Sequence, residues 1–300
     1  MARYDLCLAW NWEYDADFVH LIEAACVARG VSLLQVTPES LEEVLAGLEC
    51  GEISYKTLFD RASDSDPRFQ PLVDWATRHR SFCLNPKKRT LWSGDKATMH
   101  LEFISRGLYT PYTIILSPFS HHASIQPHDL GPLGGSFAIK PACEGGGDGV
   151  ILEATSWEQV LVARQAYPHE KYLLQAHVTP RNLDGRPAWF RVIFCHGAIY
   201  PCWWDQQTHA YARVTAAERG RFGLRSLREL PVRIAQICGL HLFSTEIALG
   251  EDGHFLAVDY VNDPVDLRLQ SKAADGVPDL YVESIASRLV RLVESRRTRS

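Results

Sequence analysis

The sequence predicts a mixed α/β and α+β fold, in which a parallel α/β unit precedes two α+β units. Three observations predict it. Residues 1–90 alternate short apolar β-like runs with amphipathic helical stretches, the pattern of a parallel sheet covered by helices. Residues 137–178 read as strand, glycine-rich loop, strand, helix and strand. Residues 188–262 hold long strands of antiparallel type interrupted by one helix. Unit boundaries are expected at 1–90, 91–180 and 181–300.

In the first unit, residues 3–9 form a strand, and Phe18, Leu21, Ile22, Ala25 and Cys26 recur at helical spacing up to Gly30. SLLQV (32–36) is a second strand. Thr37-Pro38-Glu39-Ser40 opens a helix with Leu41, Val44, Leu45 and Leu48 on one face. A strand and loop at 53–63 and a helix near 67–79 lead to SFCLN. This Rossmann-like alternation lacks the GxGxxG turn that cradles a dinucleotide. In the second unit a helix at 94–107 precedes a strand at 110–116, and a polar loop runs from Ser117 to Gly135. The third unit contains the strands WFRVIFCHG, AIYPCWW, FSTEIAL and HFLAVDYV, with a helix near 226–239. A last helix places Tyr281, Ile285, Leu289 and Leu292 on one stripe, and its basic end, Arg288 to Arg297, complements the helix dipole.

Composition narrows the function classes. The chain has 300 residues, 46% hydrophobic and 22% charged, which suits folded domains with sizeable cores. Acidic residues outnumber basic ones, 36 to 31, so no field attracts a nucleic acid. The eight cysteines form no CxxC pair and sit mostly in apolar runs, as reduced buried thiols do. The amino-terminal stretch meets acids at once and lacks a secretory pattern. No apolar run approaches the roughly 18 residues of a membrane span. A cytoplasmic protein is expected.

Two segments carry chemistry. In FAIKPACEGGGDGVILEA (137–154), Lys140 ends an apolar strand and Gly145, Gly146, Gly147 and Gly149 follow within a hairpin. Glycine permits close approach and positive φ, so backbone N–H groups can fold over phosphate oxygens while the lysine supplies a point charge. An ordinary flexible hairpin is the alternative, but four glycines in five positions exceed what a tight turn needs. No GK[ST] follows, so this is not a P-loop. The second segment pairs Glu246 in FSTEIAL with Asp259, Asn262 and Asp263 in HFLAVDYVNDP, joined by the turn Gly250–Gly253. A hairpin sets a carboxylate of each strand side by side, as one Mg²⁺ requires, although solvent-facing carboxylates are the common alternative. Asp259 follows the apolar run Phe255–Val258, and a carboxylate in a buried strand needs a cation or hydrogen bonds.

The order of these motifs resembles the ATP-grasp superfamily, as in ribosomal-protein glutamate ligases, D-alanine–D-alanine ligases and glutathione synthetases. The resemblance runs over about residues 83–272, through CLNPKKRTLWSGDKATMHLEFISRGLYTPYTIIL, FAIKPACEGGGDGV, YLLQAHV, WFRVIFCHGAIY and FSTEIALGEDGHFLAVDYVNDP. Residues 1–90 fit that family's pre-ATP-grasp domain. The resemblance implies that Lys96 and Lys140 contact the α- and β-phosphates, and that the loop from Glu144 through Gly145, Gly146, Gly147 and Gly149 forms a lid over them. It implies that Gln175 and the segment Ala176, His177 and Val178 hold adenine, and that Arg191 lies near the phosphates or a developing acyl phosphate. Glu246, Asp259 and Asn262 become the metal ligands, and Arg268 falls where an anionic acceptor or transferred phosphate binds.

Two positions depart from the family pattern. Ala176 stands where the hinge usually carries Glu. Asp259 and Asn262 are three apart, which puts them on opposite faces of a regular strand, so either a bulge realigns them or Asp263 takes the place of Asn262.

The implied activity is a carbon–nitrogen ligase using ATP and Mg²⁺, with Mn²⁺ as an alternative ion, that joins a small carboxylic acid to an amine or acts on a peptide through an acyl phosphate. A small-molecule kinase or a non-catalytic nucleotide-binding protein are the competing readings, and a homodimer is left open. His121, His122 and His128 are expected in a solvated loop; Trp10, Trp12, Trp203, Trp204, Arg213 and Arg225 carry weaker claims to a substrate site.

Overall fold

The structure, a computed structural model, describes residues 1–297; residues 298–300, the end of the third expected unit, lie outside the described residues. The first unit is a parallel sheet in the order β2-β1-β3-β4, formed by β1 (Ala2–Trp10), β2 (Leu33–Val36), β3 (Ile53–Arg61) and β4 (Phe82–Leu84). Alternation along β1 explains the layering. Leu6 and Leu8 face Phe18, Val19 and Ile22 of α1 (Ala16–Arg29). Cys7 and Ala9 join the opposite core with Val44 and Leu48 of α2 (Leu41–Glu49) and Leu72 of α3 (Gln70–Arg78). A parallel strand covered on both faces is buried throughout, which is why residues 5–9 show no polar alternation.

Two helices follow, α4 (Lys87–Gly94) and α5 (Lys96–Ser105). Asp95 separates them: its backbone is extended and its side chain accepts from Thr98 N at 3.0 Å, capping α5. The helix expected at 94–107 is therefore α5, and α4 was not expected. Its sequence KKRTLWSG has no apolar stripe and buries only Ser93. A four-stranded antiparallel sheet has the order β5-β8-β6-β7, from β5 (Thr113–Leu116), β6 (Phe137–Pro141), β7 (Ile151–Ala154) and β8 (Tyr172–Ala176). Helix α6 (Trp157–Ala166), opened by a Ser156–Gln159 capping box, covers it.

A short hairpin of β9 (Asn182–Leu183) and β10 (Arg186–Pro187) leads to the five-stranded sheet. Its order is β13-β12-β11-β14-β15, from β11 (Trp189–Cys195), β12 (Ala198–Trp204), β13 (Tyr211–Arg213), β14 (Leu242–Leu249) and β15 (Phe255–Asn262), all antiparallel. Between β13 and β14 lie α7 (Ala216–Arg221), which buries no residue and left no periodic signal, and α8 (Ser226–Cys238). Leu227, Leu230 and Ile234 of α8 share a core with Met99 and Phe103 of α5 and with β11 and β15.

The last helix, α9 (Asp279–Arg297), returns to the amino-terminal unit. Ile285, Leu289 and Leu292 are buried in one core with α1 and with β11 and β12. Asn85 adds a second tie: its Oδ1 accepts from His241 N at 2.6 Å and Leu242 N at 3.1 Å, while Nδ2 donates to Leu242 O at 2.6 Å. No helix among the described residues is long and apolar enough to cross a membrane, and the eight cysteines are free thiols.

Candidate active site

The candidate site gathers around Lys140 of β6, which interacts electrostatically with Glu246 of β14 and Asp259 of β15. The β14–β15 ladder pairs Glu246 with Asp259 and Ser244 with Asn262, so between them one residue of β14, Thr245, stands against two of β15, Tyr260 and Val261. This bulge takes up the odd spacing of Asp259 and Asn262 and sets both on the face carrying Glu246. Asp263 turns elsewhere: Thr90 Oγ1 donates to its Oδ2 at 2.9 Å, and it lines a small cavity with Asp60, Asp64, Asn85 and Lys87. Asn262, and not Asp263, therefore shares the face of Glu246 and Asp259.

Glu246 is held at both oxygens. Arg191 Nη1 approaches Oε1 at 3.3 Å and Trp189 Nε1 donates to Oε2 at 3.2 Å. Arg191 also donates to Ser244 Oγ at 3.3 Å and stacks over the Trp204 ring at 4.9 Å. Lys140, on β6, donates from Nζ to Gln175 Oε1 at 2.8 Å. Lys96, the first residue of α5, donates from Nζ to the Glu144 carbonyl at the start of the glycine loop.

Electrostatics join these groups. Burial lowers the Lys140 pKa, Asp259 and Glu246 oppose that shift, and Lys96 adds to it. Burial raises Asp259, but Lys140, Lys96 and Arg191 outweigh it and hold the carboxyl below its usual range. Glu246 is raised by burial and by Asp259, against the pull of Arg191. Two adjacent carboxyls with opposite shifts share one site, and a cation between them favours ionisation of both. Among the described residues no three His, Cys, Asp or Glu side chains converge as a metal cluster. The set here is two carboxylates and an amide, all hard oxygen donors suited to Mg²⁺. The Asn262 amide is turned to Asp259, where it helps hold that carboxyl below its usual range.

The glycine loop leaves the end of β6. Asp148 N donates to Gly145 O at 3.1 Å and Val150 N to Gly147 O at 3.2 Å, with Gly146 and Gly147 at φ 65° and 88°. A Cβ on Gly145, Gly146 or Gly147 would meet open space. Gly149 differs: at φ 68°, its Cβ would lie 2.5 Å from the Tyr167 ring.

No protein-family model matches the chain, and no curated protein matches its sequence. Solved structures do. The ATP-grasp ligase PsnB, complexed with minimal precursor, Mg and ADP, superposes with TM-score 0.64 at 12% identity, covering 97% of this chain and 98% of that one. The RimK domain protein ATP-grasp from Sphaerobacter thermophilus DSM 20745 gives 0.63 at 17% identity, covering 95% and 99%. The D-cycloserine synthetase DcsG gives 0.61 at 15% identity, covering 96% and 99%. The chain has the ATP-grasp fold.

Within this ATP-grasp fold, several residues expected at the site have other engagements. The Gln175 side chain, 3% exposed, is turned to Lys140 and Tyr260, with Nε2 3.1 Å from Tyr260 Oη. The Ala176 N–H donates to Tyr112 O, His177 lies 3.7 Å from Glu153, and Val178 packs on the core shared by α1 and α9. Arg268 stacks 5.6 Å over Trp12, and its guanidinium is paired with Asp266 at 2.7 Å and Asp275 at 2.8 Å. An anionic ligand there has to compete with two carboxylates. Trp203 is core, 1% exposed and tilted against Phe190, whereas Trp204 lies under Arg191. His122 and His121 sit in the loop after Pro118, and the His128 ring meets Trp157. Sequence reasoning missed Trp189, Ser244, Tyr260 and His100. Only register between β11 and β14 brings Trp189 to Glu246 and Ser244 to Arg191, and burial conceals the last two.

Proposed function

We propose that this protein is an ATP-dependent ligase that joins a carboxylic acid, as a small molecule or a peptide, to an amine or similar nucleophile in the cytoplasm. One observation carries the reading: Lys140 faces Asp259 and Glu246 at the point where the glycine loop leaves its strand. That arrangement supplies a phosphate-binding cation, backbone donors and hard oxygen ligands together. Among the similar structures, an ATP-grasp ligase with Mg and ADP and a D-cycloserine synthetase support this reaction class.

In the proposed reaction the substrate carboxylate attacks the γ-phosphorus of ATP, releasing ADP and forming an acyl phosphate. The amine then attacks the acyl carbon and phosphate leaves with the bonding electron pair, while the amine proton passes to solvent. Lys140 and Lys96 neutralise phosphoryl charge, and the loop from Glu144 to Gly149 offers N–H groups to phosphate oxygens and shields the acyl phosphate from water. Glu246, Asp259 and Asn262 would hold Mg²⁺ or Mn²⁺, which neutralises charge on phosphate oxygens when bound. Arg191, beside Glu246, is placed to meet the phosphates or the acyl phosphate.

A screen of amino-acid and peptide pairs with ATP and Mg²⁺ tests this. ADP should form only when an acid and an amine are both present, alongside a condensed product. A stable phosphorylated alcohol would instead mean a kinase, and absence of any thermal shift with ATP and Mg²⁺ would remove the nucleotide reading.

A further inference from the structure

Behind Lys140 runs a chain of buried polar side chains drawn from three elements. Lys140 Nζ is 2.8 Å from Gln175 Oε1 on β8; Gln175 Nε2 is 3.1 Å from Tyr260 Oη on β15; Tyr260 Oη is 2.6 Å from His100 Nδ1 on α5. Gln175, Tyr260 and His100 are 3%, 1% and 3% exposed, so water cannot substitute for a missing partner. Thr113 Oγ1 lies 3.4 Å from Gln175 Nε2, donates to Pro111 O at 2.9 Å and is a further hydrogen-bond partner of Tyr260.

The lysine end sets a consistent order of donors and acceptors along this chain. A lysine ammonium has no acceptor, so Gln175 must present its carbonyl oxygen to it. The amide nitrogen then faces Tyr260 and donates to the phenol oxygen. In this order the Tyr260 hydroxyl proton goes onward to His100, with Nδ1 as acceptor and the ring proton on Nε2. Burial lowers the His100 pKa to about 4, which keeps that ring neutral. Edge-to-face packing of Phe103 on Tyr260, with centroids 5.2 Å apart, holds the phenol in line with the same helix. If His100 carried a proton on Nδ1, it would meet the Tyr260 hydroxyl as a second donor, and the phenol would lose its acceptor on that side.

We infer that His100 and Tyr260 are positioning residues that fix the Gln175 amide and thereby hold the Lys140 ammonium in place for a nucleotide phosphate. The inference rests on the proposed phosphate role of Lys140. The same helix α5 starts with Lys96, so one element sets both lysines.

A double-mutant cycle on ATP–Mg²⁺ affinity, read by calorimetry, tests it. Tyr260→Phe and His100→Leu should each weaken binding about tenfold in the wild-type chain, the effect of one lost buried hydrogen bond, and less than about twofold in a Lys140→Met background. His100→Asn, whose Oδ1 restores an acceptor, should remain within about threefold of wild type. Equal losses in both backgrounds, or His100→Asn no better than His100→Leu, would overturn the inference. If Lys140→Met alone leaves ATP binding intact, the phosphate reading fails and takes this inference with it. Where the variants do not fold, nitrogen-15 NMR of histidine-labelled wild type decides: Nδ1 of His100 should be unprotonated and hydrogen-bonded at neutral pH, and a protonated Nδ1 overturns it.

Discussion

Asp259 stands opposite Glu246 across the β14–β15 ladder, and the bulge beside that pair carries Asn262 onto the same face, opposite Ser244. Two carboxyls side by side repel, and here Lys140, Lys96 and Arg191 supply the compensating charge. Three cations around two carboxylates leave room for an anionic ligand in the local balance, which suits a phosphate chain bound with its metal.

Replacing Asp259 by Asn removes one proposed ligand and a counter-charge of Lys140. Mg²⁺-dependent ADP formation should fall by about 100-fold or more. Asp263→Asn, which keeps an acceptor for Thr90 outside this face, should leave it within about twofold. Steady-state assays of the two variants over a Mg²⁺ titration check the pair. The reverse order of effects would move the third ligand from Asn262 to Asp263.

The glycines of the loop should separate into two kinds. Gly149→Ala places a Cβ 2.5 Å from Tyr167 and 3.2 Å from Pro141 at φ 68°, so it should cost about 3 kcal/mol. Gly146→Ala at φ 65° meets open space and should cost only about 1 kcal/mol. Thermal unfolding measures both, and Tyr167→Ala should recover part of the Gly149→Ala loss. Equal destabilisation by the two alanines contradicts the packing role of Gly149.

Acid should weaken the fold through two histidines, the buried His100 and the half-buried His241. Burial lowers His100 to about 4; burial, His196 and Arg296 lower His241 to about 4, against an ordinary value of 6.5. Below 6.5 the unfolded chain takes up protons that the folded chain refuses, so stability rises with pH between about 4 and 6.5. Each histidine contributes on the order of 3 kcal/mol across that window. Denaturant unfolding at pH 5 and pH 7 should show the loss, and His241→Asn should make it smaller. An unchanged pH dependence in that variant rules out His241 as a contributor.

The alternating elements of residues 1–90 were legible because the core faces of α1, α2 and β1 repeat at the periods of helix and strand. Helices α4 and α7 were not, since neither carries an apolar stripe. The Lys140 and glycine-loop segment was legible for a related reason: its parts are neighbours in the chain, and local spacing says where they sit.

The sequence by itself determined the elements with an apolar face, the ATP-grasp order of motifs, and which carboxylates and lysines were available. Tertiary structure alone decided how they meet. The β15 bulge depends on pairing with β14, and the turn of Gln175 toward Lys140 depends on Tyr260 and His100, which are far away in the chain. Arg268 is neutralised by Asp266 and Asp275, and α9 crosses back to α1. Periodicity reports which face of an element is apolar, but register between distant elements fixes which polar atoms come within 3 Å of each other.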